Sequence, residues 1–508
     1  MTGRPPLVHK SRSGLSGVLS SGGTGVVSLI AGIVLLPIIL NTIGAAPYGV
    51  WLVLFAGASY LNYSDLGVGT AIVHFGSRAR AGGERRGMSD LLSAAMTWNT
   101  AAFLVIVPGF IALAALYLDW HSDQASLSAT ESACLLGLSA ATTLSLLLKP
   151  FASALIGSGM LPTERANQAV GVGLRFVGTL VACLGGFGVV GVAMAEAAAL
   201  IVPLLVAVVQ VFRRRIARLA FRRGIVSDIR FMLGYSTKSF AVSLVGTLIL
   251  QSGTVMAGAA LGPAQATYFN AAFRIYSSIR QLLGWVVDPF RSLLSRLNVG
   301  SRDKADQVVQ ALSFLCLTMV GVGCGVLLLS AHEVTVLWLG SDVPTREVAL
   351  CMQILVGGLM LNAIHLALIP AGDAAGRPGV FFPAQLLWLV LYVGGGVALA
   401  TTFGIVGLAI ALTAPLAVVE PLYLIIARRS LGLDLAYWAR FALLPAALVV
   451  AAGAMLVASA SVGASLADVA INGWGAGGLF LSGCVASAFI TRRKAPWAAI
   501  RASLRAEL

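Results

Sequence analysis

Asn270, Arg274, Ser277, Gln281 and Asp288 follow one another at spacings of 4, 3, 4 and 7, which places them on one face of a helix. The opposite face carries Ile275, Ile279, Leu282 and Val286. An upstream segment repeats the theme with Ser236, Ser239, Ser243, Thr247 and Gln251, and Lys238 beside them. Nearer the N-terminus, Asn62, Asp65 and Gly69 share a face. These are amides, hydroxyls and isolated charges. The outer loops near 119–131 and 332–347 offer Glu131 and Asp342, but no paired acid and base and no Asp-x-Asp metal motif. No Gly-x-x-x-x-Gly-Lys-Ser/Thr phosphate loop occurs either. The chemistry of such stripes is binding without bond-making, so no catalytic residue, resident metal or cofactor is expected.

What positions the stripes is a membrane. The 508 residues are 58% hydrophobic and only 11% charged, against about a quarter charged in a soluble protein. Apolar runs of bilayer-spanning length recur from end to end, without the polar alternation of barrel strands. Hydropathy predicts about fourteen helices near 18–41, 48–75, 92–118, 132–157, 165–185, 189–211, 231–260, 266–287, 308–331, 348–370, 379–401, 403–427, 441–460 and 471–491. With the N-terminus inside, 28 of the 34 Lys and Arg fall in inside segments, and Arg346 is the one basic residue of the outer loops. This asymmetry predicts both termini in the cytoplasm. It also assigns the +14 net charge to topology and anionic headgroups rather than to nucleic acid. Cys134, Cys183, Cys316, Cys324, Cys351 and Cys484 lie within spans without metal-ligand spacing, as small packing residues.

The chain also repeats itself. "FGVVGVAMA" at 187–195 returns as "FGIVGLAIA" at 403–411, "IGAAPYG" at 43–49 as "LGPAQATY" at 261–268, and "ALIGSG" at 154–159 as "ALIPAG" at 367–372. "GSR" at 76–78 returns at 300–302. The matches keep their order at a nearly constant separation, which argues for duplication. Six spans separate the copies, so both enter the membrane in the same direction. The expected fold class is an all-α polytopic membrane protein of two parallel six-helix repeats, forming N- and C-lobes around a central cavity, plus two extra C-terminal helices. The expected organisation is a basic tail at 1–17, an N-lobe at 18–211, a basic connector at 212–230, a C-lobe at 231–427, two added spans within 428–491 and a basic tail at 492–508.

"NTIGAAPYGVWLVLFAGASYLNYSDLGVGTAIVHFGSRARAGG" resembles the first two helices of bacterial polysaccharide-export flippases, with Leu/Ile-Gly before Tyr-Gly-Val-Trp and Asp-Leu-Gly-hydrophobic-Gly after it. "VTVLWLGSD" at 334–342 resembles their Leu-Trp-Leu-Gly loop, and the FG-x-VG-x-A turns resemble their fifth-to-sixth and eleventh-to-twelfth connections. The resemblance implies the multidrug/oligosaccharidyl-lipid/polysaccharide (MOP) flippase fold, a central cavity lined by spans 1, 2, 7 and 8, and residence in the bacterial inner membrane. It implies a polyprenyl-pyrophosphate glycolipid as substrate, membrane lipids as surroundings, and a polysaccharide polymerase or export complex as partner.

Given such a substrate, a guanidinium offers forked donors to phosphate and a lysine a point charge. Arg274, Lys238 and Arg280 are then candidates for the pyrophosphate, Asn270, Gln281 and Gln251 for sugar hydroxyls, and Asn62 and Asp65 for the facing wall. A structural bridge from Arg274 to Asp65 or Asp288 stays open. Arg175 and Glu196, on spans joined by a tight turn, are expected to pair as a salt bridge. Lys149, before Pro150, is expected at a kink, and Glu420, before Pro421, is a secondary candidate for a coupling ion. Flipping of lipid II and multidrug antiport are the alternatives within the same superfamily.

Overall fold

The structure is a computed structural model that describes residues 12–80, 86–219, 224–287, 302–377 and 379–432, with positions 290 and 294. The spans expected at 441–460 and 471–491, the tail 492–508 and Asp288 lie outside the described residues. In hydrocarbon every backbone N–H and C=O must be bonded within its own segment, and the chain meets that demand with helices. Among the described residues these are α1 (Arg12–Ile43), α2 (Ala45–Leu61), α3 (Val68–Arg80), α4 (Met88–His121), α5 (Ala129–Thr143), α6 (Ser145–Gly157) and α7 (Leu161–Leu184). They continue with α8 (Gly188–Arg213), α9 (Ile225–Ala260), α10 (Pro263–Val287), α11 (Arg302–Leu339), α12 (Thr345–Ala374), α13 (Phe382–Thr413) and α14 (Leu416–Leu431). Among the described residues, eight stretches are long and apolar enough to cross a bilayer. Exposed Leu104, Val105, Leu113 and Leu116 on α4, and Val390, Val393 and Val397 on α13, supply lipid-facing surface.

The second expected span, 48–75, is not continuous. It breaks between α2 and α3, where Leu66 (φ 48°) and Gly67 (φ 79°) are left-handed. Asp65 caps the break by accepting the Gly67 N–H on Oδ1 at 2.9 Å. The short side chain of Asp competes with helical bonding here, and hydropathy is blind to that. The fourth span, 132–157, likewise divides at Leu144 into α5 and α6. The run from Phe382 to Thr413 bends at Gly404 (φ 62°), the glycine of the second FG-x-VG-x-A turn.

The backbone carries the duplication too. Left-handed residues recur in register: Gly44 and Gly262, Ser126 and Gly340, Gly159 and Gly376, Gly188 and Gly404, Arg215 and Gly432. Within each pair the two positions lie almost the same distance apart along the chain. Such φ values are sparse, so five ordered coincidences tie the two halves together more firmly than the sequence matches do. Leu66, Gly67 and Gly186 have no counterpart among the described residues. The break beside Asp65 therefore belongs to the first half alone.

α2 and α10, equivalent under this repeat, pack against one another, with Tyr48, Trp51, Phe269 and Tyr276 fully buried. Gly49 sits so close to the carbonyl of Pro263 that an added Cβ would overlap the oxygen. α9 reaches across to α2, α3 and α4.

Candidate substrate cavity

A cavity of about 500 Å³ opens among α1, α2, α6, α7, α8 and α9. Each long wall is one helical stripe. α7 contributes Glu164, Gln168, Val172 and Arg175, at spacings of 4, 4 and 3; α8 contributes Glu196, Leu200 and Pro203. Phe55 and Ser59 come from α2, and Asn62 and Tyr63 from the turn that follows it. Ser145 and Lys149 of α6, Ser28 of α1 and Gln251 of α9 complete the lining used below. From Glu164 to Arg175 is eleven positions, or about 16 Å at the helical rise.

Its two cations are paired. Arg175 Nη2 donates to Glu196 Oε1 at 2.9 Å, while Trp51 Nε1 donates to Glu196 Oε2 at 2.7 Å. The salt bridge between the two spans thus has the geometry expected of it, and Trp51 is a third member that spacing could not reveal. Lys149 Nζ lies 3.7 Å from Asp65 Oδ2 and 3.4 Å from the carbonyl of Asn62. The helix break makes both contacts possible, because it turns Asp65 and the Asn62 carbonyl toward α6. Pairing of this kind offsets the cost of holding charge at membrane depth. Glu164 accepts from Asn167 and Gln168 within its own helix.

Of the residues expected from the sequence, Asn62 and Gln251 meet at this cavity from different halves of the chain. Asn62 Oδ1 also accepts from Ser145 Oγ at 2.7 Å. Asp65 stands behind Lys149 rather than beside Arg274. Arg274 instead donates through Nη1 to the carbonyl of Gly32 on α1, and through Nη2 to Asn270 Oδ1 at 3.4 Å. Asn270 Nδ2 in turn donates to Thr254 Oγ1 on α9. Arg280 Nη1 donates to Asn362 Oδ1 on α12 at 2.8 Å. Gln281 is exposed, and the side chain of Lys238 on α9 lies outside the described residues. The expected stripe residues are therefore distributed over a clasp between α1 and α10, a tie between α10 and α12, and the cavity. Sequence reasoning passed over Lys149, Gln168 and Arg175 as cavity lining, although the polar stripe of α7 carried the signal for Gln168 and Arg175.

Residues 15–288, more than half of the chain, match the profile of a family described as polysaccharide biosynthesis protein. The chain belongs to that family. No curated protein sequence matches significantly. Among solved structures, the fold is similar to that of the lipid II flippase MurJ in an inward closed conformation, with a TM-score of 0.70 and 11% identity over 94% of this chain and 100% of that one. It is also similar to an inward-facing multidrug resistance MATE family transporter of the MOP superfamily, with a TM-score of 0.61 and 16% identity over 80% and 98%. An outward-facing MATE transporter gives 0.55 and 18% over 82% and 95%. The fold is thus the polytopic helical fold of MOP superfamily transporters, as the family resemblance implied.

Proposed function

We propose that the protein flips a polyprenyl-pyrophosphate-linked oligosaccharide from the cytoplasmic to the periplasmic leaflet of the bacterial inner membrane, for assembly of O-antigen, capsule or exopolysaccharide. The observation that carries this reading is a cavity inside an apolar bundle whose wall carries amides, hydroxyls and two solvent-accessible cations, Lys149 and Arg175, beside the carboxylates of Glu164 and Glu196. An anionic sugar-bearing head needs that chemistry, while its tail stays in lipid. Family membership supports polysaccharide precursors over drugs. The two halves rock about the cavity, as in other transporters built from parallel repeats. Moving negative charge outward across an inside-negative membrane gains about 2.3 kcal/mol per charge per 100 mV, so the potential itself favours export. A polymerase or export complex would receive the flipped unit.

The test is deletion of the gene, followed by leaflet-resolved analysis of lipid-linked intermediates. Accumulation of the lipid-linked surface-polymer unit on the cytoplasmic side supports the reading. The similarity to the lipid II flippase MurJ over 94% of the chain favours lipid II as a second reading. Accumulation of lipid II with surface polysaccharide intact would establish that one instead.

A further inference from the structure

We infer that Lys149 and Arg175 together form a diphosphate-binding site in the amino-terminal half, each cation presented to the cavity by a carboxylate held behind it. This rests on the flippase reading and assigns the head-group contact within it.

The asymmetry of the two ion pairs carries the inference. The Arg175 side chain is 36% exposed, whereas Glu196 is 4% exposed. Lys149 is 42% exposed, whereas Asp65 is 7% exposed. Both carboxylates are withdrawn into protein and occupied, Glu196 by Trp51 and Asp65 by the backbone of Gly67. Both cations face the open volume. A pair that is neutral overall still presents a positive surface when its acid is buried, and it costs less to hold in the membrane than a bare cation.

Donor capacity points the same way. A guanidinium has five N–H donors and an ammonium three. Arg175 donates to Glu196 through Nη2, which leaves most of its fork available. Lys149 makes long contacts of 3.4 and 3.7 Å, which leaves room to turn toward a better acceptor. Two cations from different helices on one cavity suit a ligand with two linked anionic groups, since a forked guanidinium and a mobile ammonium can each take a phosphate. Gln168, Ser59 and Asn62 line the same space and can bond the first sugar.

The experiment uses the full chain in nanodiscs and measures binding of geranyl diphosphate, geranyl monophosphate and inorganic pyrophosphate. Geranyl diphosphate should bind more tightly than the monophosphate. Lys149→Gln combined with Asp65→Asn, and Arg175→Gln combined with Glu196→Gln, so that no carboxylate is left unpaired, should each weaken the diphosphate by about tenfold or more. Thermal melting should stay close to that of the unaltered protein. Inorganic pyrophosphate competing as well as the lipid would mean a soluble anion is the ligand, and would overturn the lipid assignment. Unchanged affinity in both well-folded variants would overturn the site. If those variants also export polysaccharide normally while Arg274→Gln does not, the flippase reading survives and the head group binds elsewhere. No geranyl diphosphate binding by the unaltered protein, together with normal polysaccharide export in the deletion strain, would remove both.

Discussion

Thr267 donates its hydroxyl to the carbonyl of Ala45 at 2.7 Å, joining α10 to α2. That contact has an image. The shift that carries Gly44 onto Gly262 also carries Ala45 onto Pro263 and Gly49 onto Thr267, and Gly49 indeed presses against the carbonyl of Pro263. Exchange of partners between equivalent helices is what a two-fold relation produces. The axis relating the halves therefore runs between α2 and α10, where side chains are small enough for the helices to touch.

The first prediction concerns this seam. Gly49→Ala puts a methyl into the Pro263 carbonyl and forces the helices apart, for a loss of about 1–3 kcal/mol. Thr267→Ala removes one interhelical hydrogen bond, which in membranes averages about 0.6 kcal/mol. Thermal unfolding in detergent should rank the glycine variant clearly below the threonine variant. The reverse ranking would show that the seam relaxes without cost.

The sequence reading reached the helices of this seam but not their interior logic. Residue type and hydropathy located the helical spans among the described residues because lipid exposure is a one-body property: Leu104 or Val390 reports it alone. The glycine turns at 188 and 404 were visible because a left-handed position favours one residue type. Asn62 and Gln251 were found because amides are rare in spans. The destination of each guanidinium was not legible. Arg274, Arg280 and Arg175 are alike as letters, yet one clasps a carbonyl of α1, one ties α10 to α12 and one faces the cavity. Those outcomes depend on helix rotation and on partners such as Trp51, far from Glu196 in the chain.

A second prediction follows from Trp51. Its Nε1–H is bonded to a buried carboxylate, and a hydrogen bond to a charged group contributes about 1.5–3 kcal/mol. Trp51→Phe should destabilise by about that amount and free one oxygen of Glu196 to draw Arg175 inward. Melting should fall, and diphosphate binding should weaken although the substituted residue touches no ligand. Retained melting would show that Glu196 has another donor.

The tie between Arg280 and Asn362 is a third case. It is the repeat image of Asn62 and Ser145: the shift that carries Ala45 onto Pro263 carries Asn62 onto Arg280, and it brings Ser145 within one position of Asn362. One inter-helix position is thus used twice with different chemistry. A residue spent on such a tie should couple energetically to its partner. A double-mutant cycle of Arg280→Gln and Asn362→Ala should give an interaction term of about 0.5–3 kcal/mol in thermal stability. A term near zero, with export abolished by Arg280→Gln alone, would return Arg280 to the substrate.

A deep hydrogen-bonded pair in the carboxyl-terminal half lies away from the cavity. His365 Nδ1 and Glu420 Oε1 are 2.6 Å apart, both buried, and the His365 ring stacks on Tyr423 with centroids 4.3 Å apart. Glu420 Oε2 makes no hydrogen bond among the described residues. Removing one member leaves a polar partner stranded in the protein interior, at a cost of about 3–5 kcal/mol for a buried pair. Glu420→Ala and His365→Phe should each lower the melting temperature strongly. The combination of His365→Phe with Glu420→Leu keeps the stack on Tyr423 and restores an apolar interior, so most of the loss should be recovered. Export measured in the stable double variant then separates two roles. Lost export in a protein of normal stability would mean that the pair carries an ion or proton during the cycle. Normal export means the pair only holds α12 to α14. We expect the second outcome, because His365 and Glu420 are both buried and neither lines the cavity walled by Lys149 and Arg175.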